Sequence, residues 1–365
     1  MKTRNLIALA LILLTVLSAC GEPSATSPTP STASPSTTPT TSPSPSIAPP
    51  PISTNFDLEP ADKFVYEYDT EYAGVKLTQY LGDKTQLRVP DEIEGFPVIG
   101  IENMCFAVDV VTDVQYPATL KFFRWGGNIK HNLSGELRIP YGVSEIVRIL
   151  DNYWDDAIKN VTSVDIPNSV TIIGECAFRH FTSLETVILP DSVTAIGEYA
   201  FEECKSLRTI NIPNGVTKID VGAFESCSSL TAIYLPDGLT ELGTGAFYNC
   251  ISLLKIEIPD SFVTAGAALF VGTSWYKTQT DGVVYAGKVA CGYKGEMPSN
   301  TVITLVAGTK GIALEAFTGQ ETLVDIMIPD SVTTIGWSAF VDCGSLSEES
   351  KTRIRQIDSD VEFEI

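Results

Sequence analysis

The amino-acid sequence predicts a repeat solenoid, a stack of 23-residue coils with one short parallel β-strand per coil and little helix. Prolines recur every 23 residues, at Pro167, Pro190, Pro213, Pro236 and Pro259. A phenylalanine lies eleven residues after each of them, at Phe178, Phe201, Phe224, Phe247 and Phe270. A cysteine follows three residues later in three consecutive units, at Cys204, Cys227 and Cys250. Such a unit cannot bury a core alone, so its stability must come from its neighbours.

Residues 1–19 are predicted to be a lipoprotein signal peptide. Lys2 and Arg4 precede an apolar run at residues 6–17, which is too short to span a bilayer stably. The sequence LSAC that ends at Cys20 resembles a bacterial lipobox. That resemblance implies diacylation of Cys20, an anchor in the bacterial cell membrane and exposure at the cell surface. The alternative is an ordinary signal peptide with a chance cysteine.

Residues 20–55 are predicted to form a disordered stalk, because Pro, Ser, Thr and Ala dominate the segment and leave little apolar surface to bury. As an extended chain of roughly 3.1 Å per residue it would reach about 110 Å. The whole chain has a formal net charge of −21. This charge disfavours nucleic acid and anionic lipid as partners, although it does not by itself identify a basic partner.

The folded part is predicted to begin with a capping hairpin at residues 56–89, followed by about ten coils at 90–346, the first three irregular. In a regular coil, residues 207–212 alternate with a period of two, so Thr209 and Asn211 point outward. Pro213 then ends the strand, because it has no N–H to donate. The Ile-Gly pair before each Ala-Phe pair is expected to be a tight bend.

The repeated motif, I-P-D-S-V-T-x-I-G-x-x-A-F-x-x-C-x-S-L-x-x-I, resembles the BspA-like type of leucine-rich repeat found in bacterial surface lipoproteins. The resemblance covers roughly residues 75–346 and is most specific between 167 and 259. It implies a right-handed, gently curved solenoid with a parallel sheet along one face. Members of that family are associated with adhesion to host matrix proteins or to other bacteria, so the resemblance implies a binding function.

One insertion interrupts the repeat. From Pro259 to Val306 the spacing is 47 residues, which is one repeat plus 24. The extra segment, near 277–300, is predicted to be a β-hairpin that projects from the solenoid. Its exposed aromatic candidates for partner contact are Trp275, Tyr276, Tyr285 and Tyr293. The alternative, which the resemblance favours because similar inserts recur in this repeat type, is that they brace a coil edge.

Residues 347–365 are predicted to form a cap helix and an acidic tail. Ser345 lies three residues before Glu348, which is a capping-box pattern.

The sequence contains no motif for a catalytic or cofactor site, so we expect neither an enzyme nor a cofactor. His131 and His180 are the only histidines, and no nucleophile lies at a telling spacing from either. A pair of carboxylates could still be assembled by folding, as in polysaccharide hydrolases. Asp155 and Asp156 are the one acidic pair beside aromatic residues, and a loop explains them better.

The cysteines other than Cys20 are predicted to be buried free thiols that act as small apolar fillers. They recur in phase with the hydrophobic positions, and parallel side chains from successive coils have poor geometry for disulfides. No C-x-x-C spacing indicates a metal site.

Function is therefore expected at the outward positions of the strand, where side chains vary on a constant frame. The candidate residues for binding a protein or glycan are Asp165, Ile188, Thr209, Asn211, Tyr234, Lys255, Glu257 and Met327. The sequence predicts a non-catalytic, lipid-anchored protein that mediates protein interaction or adhesion. The alternatives are a structural component of the envelope and a secreted polysaccharide hydrolase.

Overall fold

The computed structural model describes residues 57–102, 105, 113–117, 119–124, 136–139, 141–147 and 158–363. In this part the chain is a solenoid of short parallel strands with a spacing of about 23 residues, as predicted. The signal peptide, Cys20, the stalk, His131 and the Asp155-Asp156 pair lie outside the described residues.

One ladder of strands follows the Val-Thr-x-Ile segment of each coil, and we call it the first ladder. In the described residues it forms an eleven-stranded sheet that includes the side strand Glu92–Ile93. The other strands, in order, are Phe64–Asp69, Gly74–Tyr80, Phe96–Ile101, Phe122–Arg124, Glu145–Val147, Ile172–Ile173, Ala195–Ile196, Lys218–Ile219, Glu241–Leu242 and Thr264–Ala265. A four-stranded sheet follows, formed by Gly282–Ala286, Val289–Lys294, Gly311–Ile312 and Thr334–Ile335.

A second ladder follows the Leu-x-x-Ile-x-Ile segment, where the sequence predicts the strand. It occurs as four separate groups of parallel strands. The groups are Gln86–Arg88 with Asp113–Gln115; Glu136–Arg138, Ser163–Asp165, Thr186–Val187 and Thr209–Ile210; Ala232–Tyr234 with Lys255–Glu257; and Thr301–Thr304 with Leu323–Met327. In the described residues, helix is confined to 3-10 turns at Ala61–Lys63 and Ile158–Asn160 and α-helices at Ser274–Thr278 and Glu348–Ile357. None of the described helices has the length and apolarity to cross a membrane.

The coils thus carry two strands, where the sequence predicts one. The Ile-Gly segment, expected to be only a bend, pairs with the coil before it: the Gly197 N–H donates to the Ile173 carbonyl at 2.8 Å. Ile173 is fully buried, so the segment has an inward face like any strand. Glycine is required because a Cβ on Gly197 would lie 2.9 Å from the Glu175 amide nitrogen.

The third side of the coil is the Ala-Phe-x-x-Cys turn, which also bonds from coil to coil. The Phe178 N–H donates to the Ala200 carbonyl at 2.7 Å, and the Phe201 N–H donates to the Ala223 carbonyl at 2.7 Å. Residues such as Glu203 take a positive φ, here +57°, which turns the backbone groups toward the neighbouring coil. Each regular coil is therefore bonded to the next along three sides.

The core is a column of phenylalanine rings, one from each regular coil. From Phe178 to Phe270, neighbouring rings are stacked with centroids 5.2 to 5.7 Å apart. All described cysteines are free, as predicted. Their role is more specific than filling space: Cys204, Cys227, Cys250 and Cys343 each donate the S–H to the carbonyl of the previous coil's phenylalanine at 3.0–3.1 Å.

The inserted segment does not project from the solenoid, so that prediction is wrong. Its strands Gly282–Ala286 and Val289–Lys294 form an antiparallel hairpin, but the second strand also pairs in parallel with Gly311–Ile312. Val289 and Ala290 have no exposed surface. The hairpin lies in the ladder because its apolar side chains pack into the core at the place that a repeat strand would fill.

The cap helix Glu348–Ile357 is N-capped by Ser347, whose hydroxyl accepts the Ser350 N–H at 3.1 Å. The prediction of Ser345 as the cap is wrong, because the last coil continues to Leu346, which is buried.

The tail after the cap helix packs against the fold, since Val361 and Phe363 are buried. The centroid of the Phe363 ring lies 6.4 Å from that of Phe340, which stacks on Phe317, so Phe363 ends the stack of rings that follows the insertion. The alternation in VEF places both apolar side chains on one side of the tail.

Candidate functional site

The eight strand-face candidates are all exposed, and the parallel register places them on the outward side of the second ladder. Thr209 pairs with Thr186, and Glu257 pairs with Tyr234. The structure divides them among three groups of the ladder. The groups are Asp165 with Ile188, Thr209 and Asn211; Tyr234 with Lys255 and Glu257; and Met327, beyond the insertion.

Asn211 is occupied by the fold itself. Its side-chain amide donates to the Leu189 carbonyl and its side-chain oxygen accepts the Leu189 N–H, both at 2.9 Å. At the equivalent place two coils later, the Leu235 N–H donates to the backbone carbonyl of Glu257. The Asn211 side chain therefore replaces a missing main-chain bond between coils, which leaves it little capacity for a partner.

Tyr234, Lys255 and Glu257 form one preorganised group. The Lys255 ammonium lies 4.8 Å from the centre of the Tyr234 ring, 3.3 Å from its hydroxyl and 2.8 Å from the Glu257 carboxylate. The pKa of Lys255 is raised, chiefly by its hydrogen bond to Glu257. The group presents an exposed aromatic ring whose orientation is fixed by charged neighbours, as in residues that dominate protein interfaces.

Apolar side chains make up much of the remaining face. Ile188 is 74% exposed, and Met327 is 52% exposed. Two further residues, Val302 and Val306, are exposed near Met327, in and just after the strand that pairs with Leu323–Met327. They were not among the residues predicted from the sequence. The aligned repeats could have shown both: Val306 replaces the proline of the repeat, and Val302 replaces the small or polar residue four positions earlier.

The aromatic residues of the insertion are half-buried, so the expectation that they are exposed is wrong. Trp275 and Tyr276 lie on the helix Ser274–Thr278, where the Trp275 ring packs edge-on against Phe270 at 5.0 Å. The Tyr285 hydroxyl accepts the Val306 N–H at 3.0 Å. Tyr293 packs against the core. These contacts brace the insertion, and a role in partner contact stays a prediction.

A charged row beside the phenylalanine column was also missed. The Arg179 guanidinium forks onto both oxygens of the Glu202 carboxylate, with one bond of 3.0 Å. Burial, followed by the charge of Glu202, raises the pKa of Glu225 in the next coil to about 7. His180, which the sequence placed beside the cysteine position, lies 3.2 Å from the Glu203 carboxylate. The spacing of 23 residues would have aligned Arg179, Glu202 and Glu225.

This row is a poor candidate for acid–base chemistry. Hydrolysis of a glycoside needs two available carboxyl groups, and both oxygens of Glu202 are engaged by Arg179. In the described residues no group of three or more His, Cys, Asp or Glu side chains could hold a metal ion. The arrangement therefore acts on the stability of the coils.

Comparison with known proteins finds no match among curated sequences. Similar solved structures include a leucine-rich repeat protein from Bacteroides ovatus, with 22% identity, 78% of this chain and 80% of that chain covered, and a TM-score of 0.45. A T. pallidum leucine-rich repeat protein has 22% identity, 84% and 99% coverage, and a TM-score of 0.35. A leucine-rich cell surface protein from Faecalibacterium prausnitzii has 23% identity, 82% and 97% coverage, and a TM-score of 0.30.

The family comparison is more direct. The model of the BspA type leucine-rich repeat region matches residues 148–276 and 295–361, in six copies that together span more than half of the chain. Those residues contain the proline, phenylalanine and cysteine positions that build the column and the two ladders. The chain therefore belongs to the BspA-type leucine-rich repeat family, whose solenoids are frames for protein interaction.

Proposed function

We propose that the chain is a lipid-anchored protein of the bacterial cell surface that adheres to a host matrix protein or to another bacterial surface through the outward face of its second ladder. The observation that carries the proposal is the set of exposed apolar side chains on that face, above all Ile188 and Tyr234. Scattered exposed apolar residues need no explanation, but these two lie on neighbouring groups of one ladder.

The repeat family and the N-terminal sequence also support the proposal. The repeat family supports a binding frame, and the motif letters of the repeat are buried, so specificity falls to the residues between them. The lipobox-like sequence at Cys20 and the Pro- and Ser-rich segment after it support a tether that holds the solenoid away from the membrane.

Binding is tested with the mature chain immobilised on a sensor and matrix proteins, mucins and bacterial wall glycans passed over it. We expect saturable binding to one of these ligands, weakened about tenfold in Ile188→Ser/Tyr234→Ser. Thr217→Ala, an exposed change on the first ladder, is the matched control and should bind normally. An absence of binding to every ligand, or equal binding by all variants, contradicts the proposal.

The anchor is tested separately in a bacterial host by metabolic labelling with a fatty acid. We expect the wild-type chain to be labelled and recovered with membranes, and Cys20→Ser to be unlabelled and released. Membrane recovery of Cys20→Ser without label would contradict lipid anchoring and leave the binding result untouched.

A further inference from the structure

We propose that the strand Phe64–Asp69, here called the edge strand, is a docking site at which an extended, basic segment of a partner protein adds to the sheet as a further strand. The site is at the N-terminal end of the first ladder and is separate from the outward face of the second ladder. Three properties of the described residues carry the proposal: an unpaired backbone edge, exposed aromatic rings beside it, and an excess of negative charge.

The first property is the unpaired backbone edge. Among the described strands, the edge strand ends the eleven-stranded sheet and pairs only with Gly74–Tyr80, in antiparallel register. The Lys63 carbonyl accepts the Leu81 N–H at 2.7 Å. The register then skips Thr78 on the paired strand, so the edge strand keeps its own alternation and its odd-numbered residues turn their backbone groups toward the paired strand. The N–H and C=O groups of Tyr66 and Tyr68 therefore point to the other side.

No described strand pairs with that side of the edge strand. An unpaired row of this kind is a template for another strand, and six residues are enough for one. Native edges are usually protected by brevity, and most other strands of this sheet have two or three residues. The edge strand lacks that protection.

The aromatic rings give the edge an apolar contact. The Tyr68 ring lies 5.8 Å from the Tyr66 ring and 5.0 Å from the Phe96 ring, both edge-on. Tyr68 is 52% exposed and Phe96 is 43% exposed, while Val65 is exposed on the opposite face of the strand. An added strand could therefore bury apolar surface on both of its faces.

Charge indicates the chemistry of the occupant. Residues 57–102 contain eleven acidic side chains against four basic ones. Three of the four basic residues, Lys76, Lys84 and Arg88, already have acidic partners in ion pairs. Glu94, beside the aromatic rings, and Glu67, on the same face of the edge strand as Val65, are exposed and take part in no described ion pair.

Glu94 is also held in place beside the ring. The Tyr68 hydroxyl donates to its carboxylate at 2.6 Å, and this bond lowers the pKa of Glu94. A carboxylate held against exposed rings favours an Arg or Lys side chain, which gains both an ion pair and a cation–π contact. A second copy of this chain fits less well, because its edge strand would bring Glu67 against an equally acidic edge.

The experiment uses the mature chain and a probe peptide of alternating Arg and Thr, about ten residues long. Affinity is measured by titration, and hydrogen exchange reports on the edge strand. We expect saturable binding with slower exchange in residues 64–69. The peptide with Glu in place of Arg, and the Arg peptide N-methylated at alternate residues, should each bind at least about tenfold more weakly.

Two pairs of variants separate the backbone from the side chains. Tyr68→Pro removes an outward N–H, which an edge strand tolerates, and should bind about tenfold more weakly than Tyr68→Ala. Glu67→Lys/Glu94→Lys should lose the Arg peptide, whereas the distant pair Glu185→Lys/Glu321→Lys should keep it. Ile188→Ser/Tyr234→Ser should also keep it, because the second ladder is not involved.

The proposal is overturned if the Arg peptide does not bind, or if the N-methylated peptide binds equally well. It is likewise overturned if Tyr68→Pro and Tyr68→Ala bind alike, or if the distant charge reversal has the same effect as the local one. Protection that appears in the second ladder and not in residues 64–69 would also contradict it.

Discussion

The regular coils between Pro167 and Phe270 and the N-terminal hairpin use the same ladder in opposite ways. In the coils, backbone groups bond to a neighbour on three sides, and Phe201 and Phe224 are fully buried between rings above and below. In the hairpin, the edge strand has one paired side, and Tyr68 and the neighbouring Phe96 leave much of their rings in solvent. The first region is scaffold, whereas the second keeps its bonding groups available.

This difference limits the places where a repeat protein can bind a partner. Inside the stack every motif residue has an identical neighbour, so its bonding capacity is used by the coil next to it. Groups that are free to bind a partner remain at the outward positions between motif residues and at the end of the stack.

The same substitution should have very different consequences in the two regions. Phe224→Ala removes a ring stacked at 5.2 Å and 5.3 Å between its neighbours and should lower the free energy of unfolding by about 3–5 kcal/mol. Phe96→Ala, at a half-exposed position beside the hairpin, should cost less than about 1 kcal/mol. Urea denaturation of both variants measures the difference, and equal losses would refute the contrast.

The charged row of the coils should make stability depend on pH. The pKa of Glu225 is raised to about 7, so between about pH 4.5 and 7 the folded chain binds more protons at this site than the unfolded chain. The wild type should therefore lose stability as pH rises through this range. Glu225→Gln should remove that loss and be more stable at pH 8 by about 1–2 kcal/mol, allowing for the partial exposure of the carboxylate.

Thermal and urea unfolding at pH 5 and pH 8 measure this effect. Glu185→Gln, at an exposed position of the same coils, is the control and should follow the wild type. A Glu225→Gln variant that gains no stability at pH 8 would show that the carboxylate is not destabilised there.

Two substitutions at Cys227 should show whether this side chain stabilises the fold as a hydrogen-bond donor or only as an apolar filler. Cys227→Ser keeps a donor within reach of the Phe201 carbonyl and should cost less than Cys227→Ala, which we expect to lose about 1 kcal/mol. An apolar filler would give the reverse order, because serine would then bury an unsatisfied hydroxyl. Calorimetry of both variants under reducing conditions decides between them.

The solenoid could be predicted from the sequence because the 23-residue period arises from the stacking of the coils. Pro190 and Phe201 recur with the coil, and whatever recurs every 23 residues must meet its own copy. The second strand of each coil was not predictable in the same way. Two-residue strands such as Ala195–Ile196 have no alternation of their own, and they exist only because the neighbouring coil supplies bonds.

Individual outward residues were predictable in position but not in role. Thr209 and Asn211 both face outward as expected, yet Asn211 bonds to the Leu189 backbone, a choice fixed by the absence of a main-chain partner there. The insertion shows the same limit. Its strands alternate as predicted, but only the three-dimensional register shows that Val289–Lys294 fills a place in the ladder.

The column of phenylalanine rings also has a consequence for how such a molecule can vary in length. Between Phe178 and Phe270 each ring stacks on the ring of the next coil. Beyond the insertion a second stack of rings ends at Phe363, which is not part of a coil. Duplication of one 23-residue coil within the stack would restore every contact and leave both ends unchanged. The chain could thus lengthen in steps of about 4.8 Å, the distance between strands, while the residues that close it stay as they are.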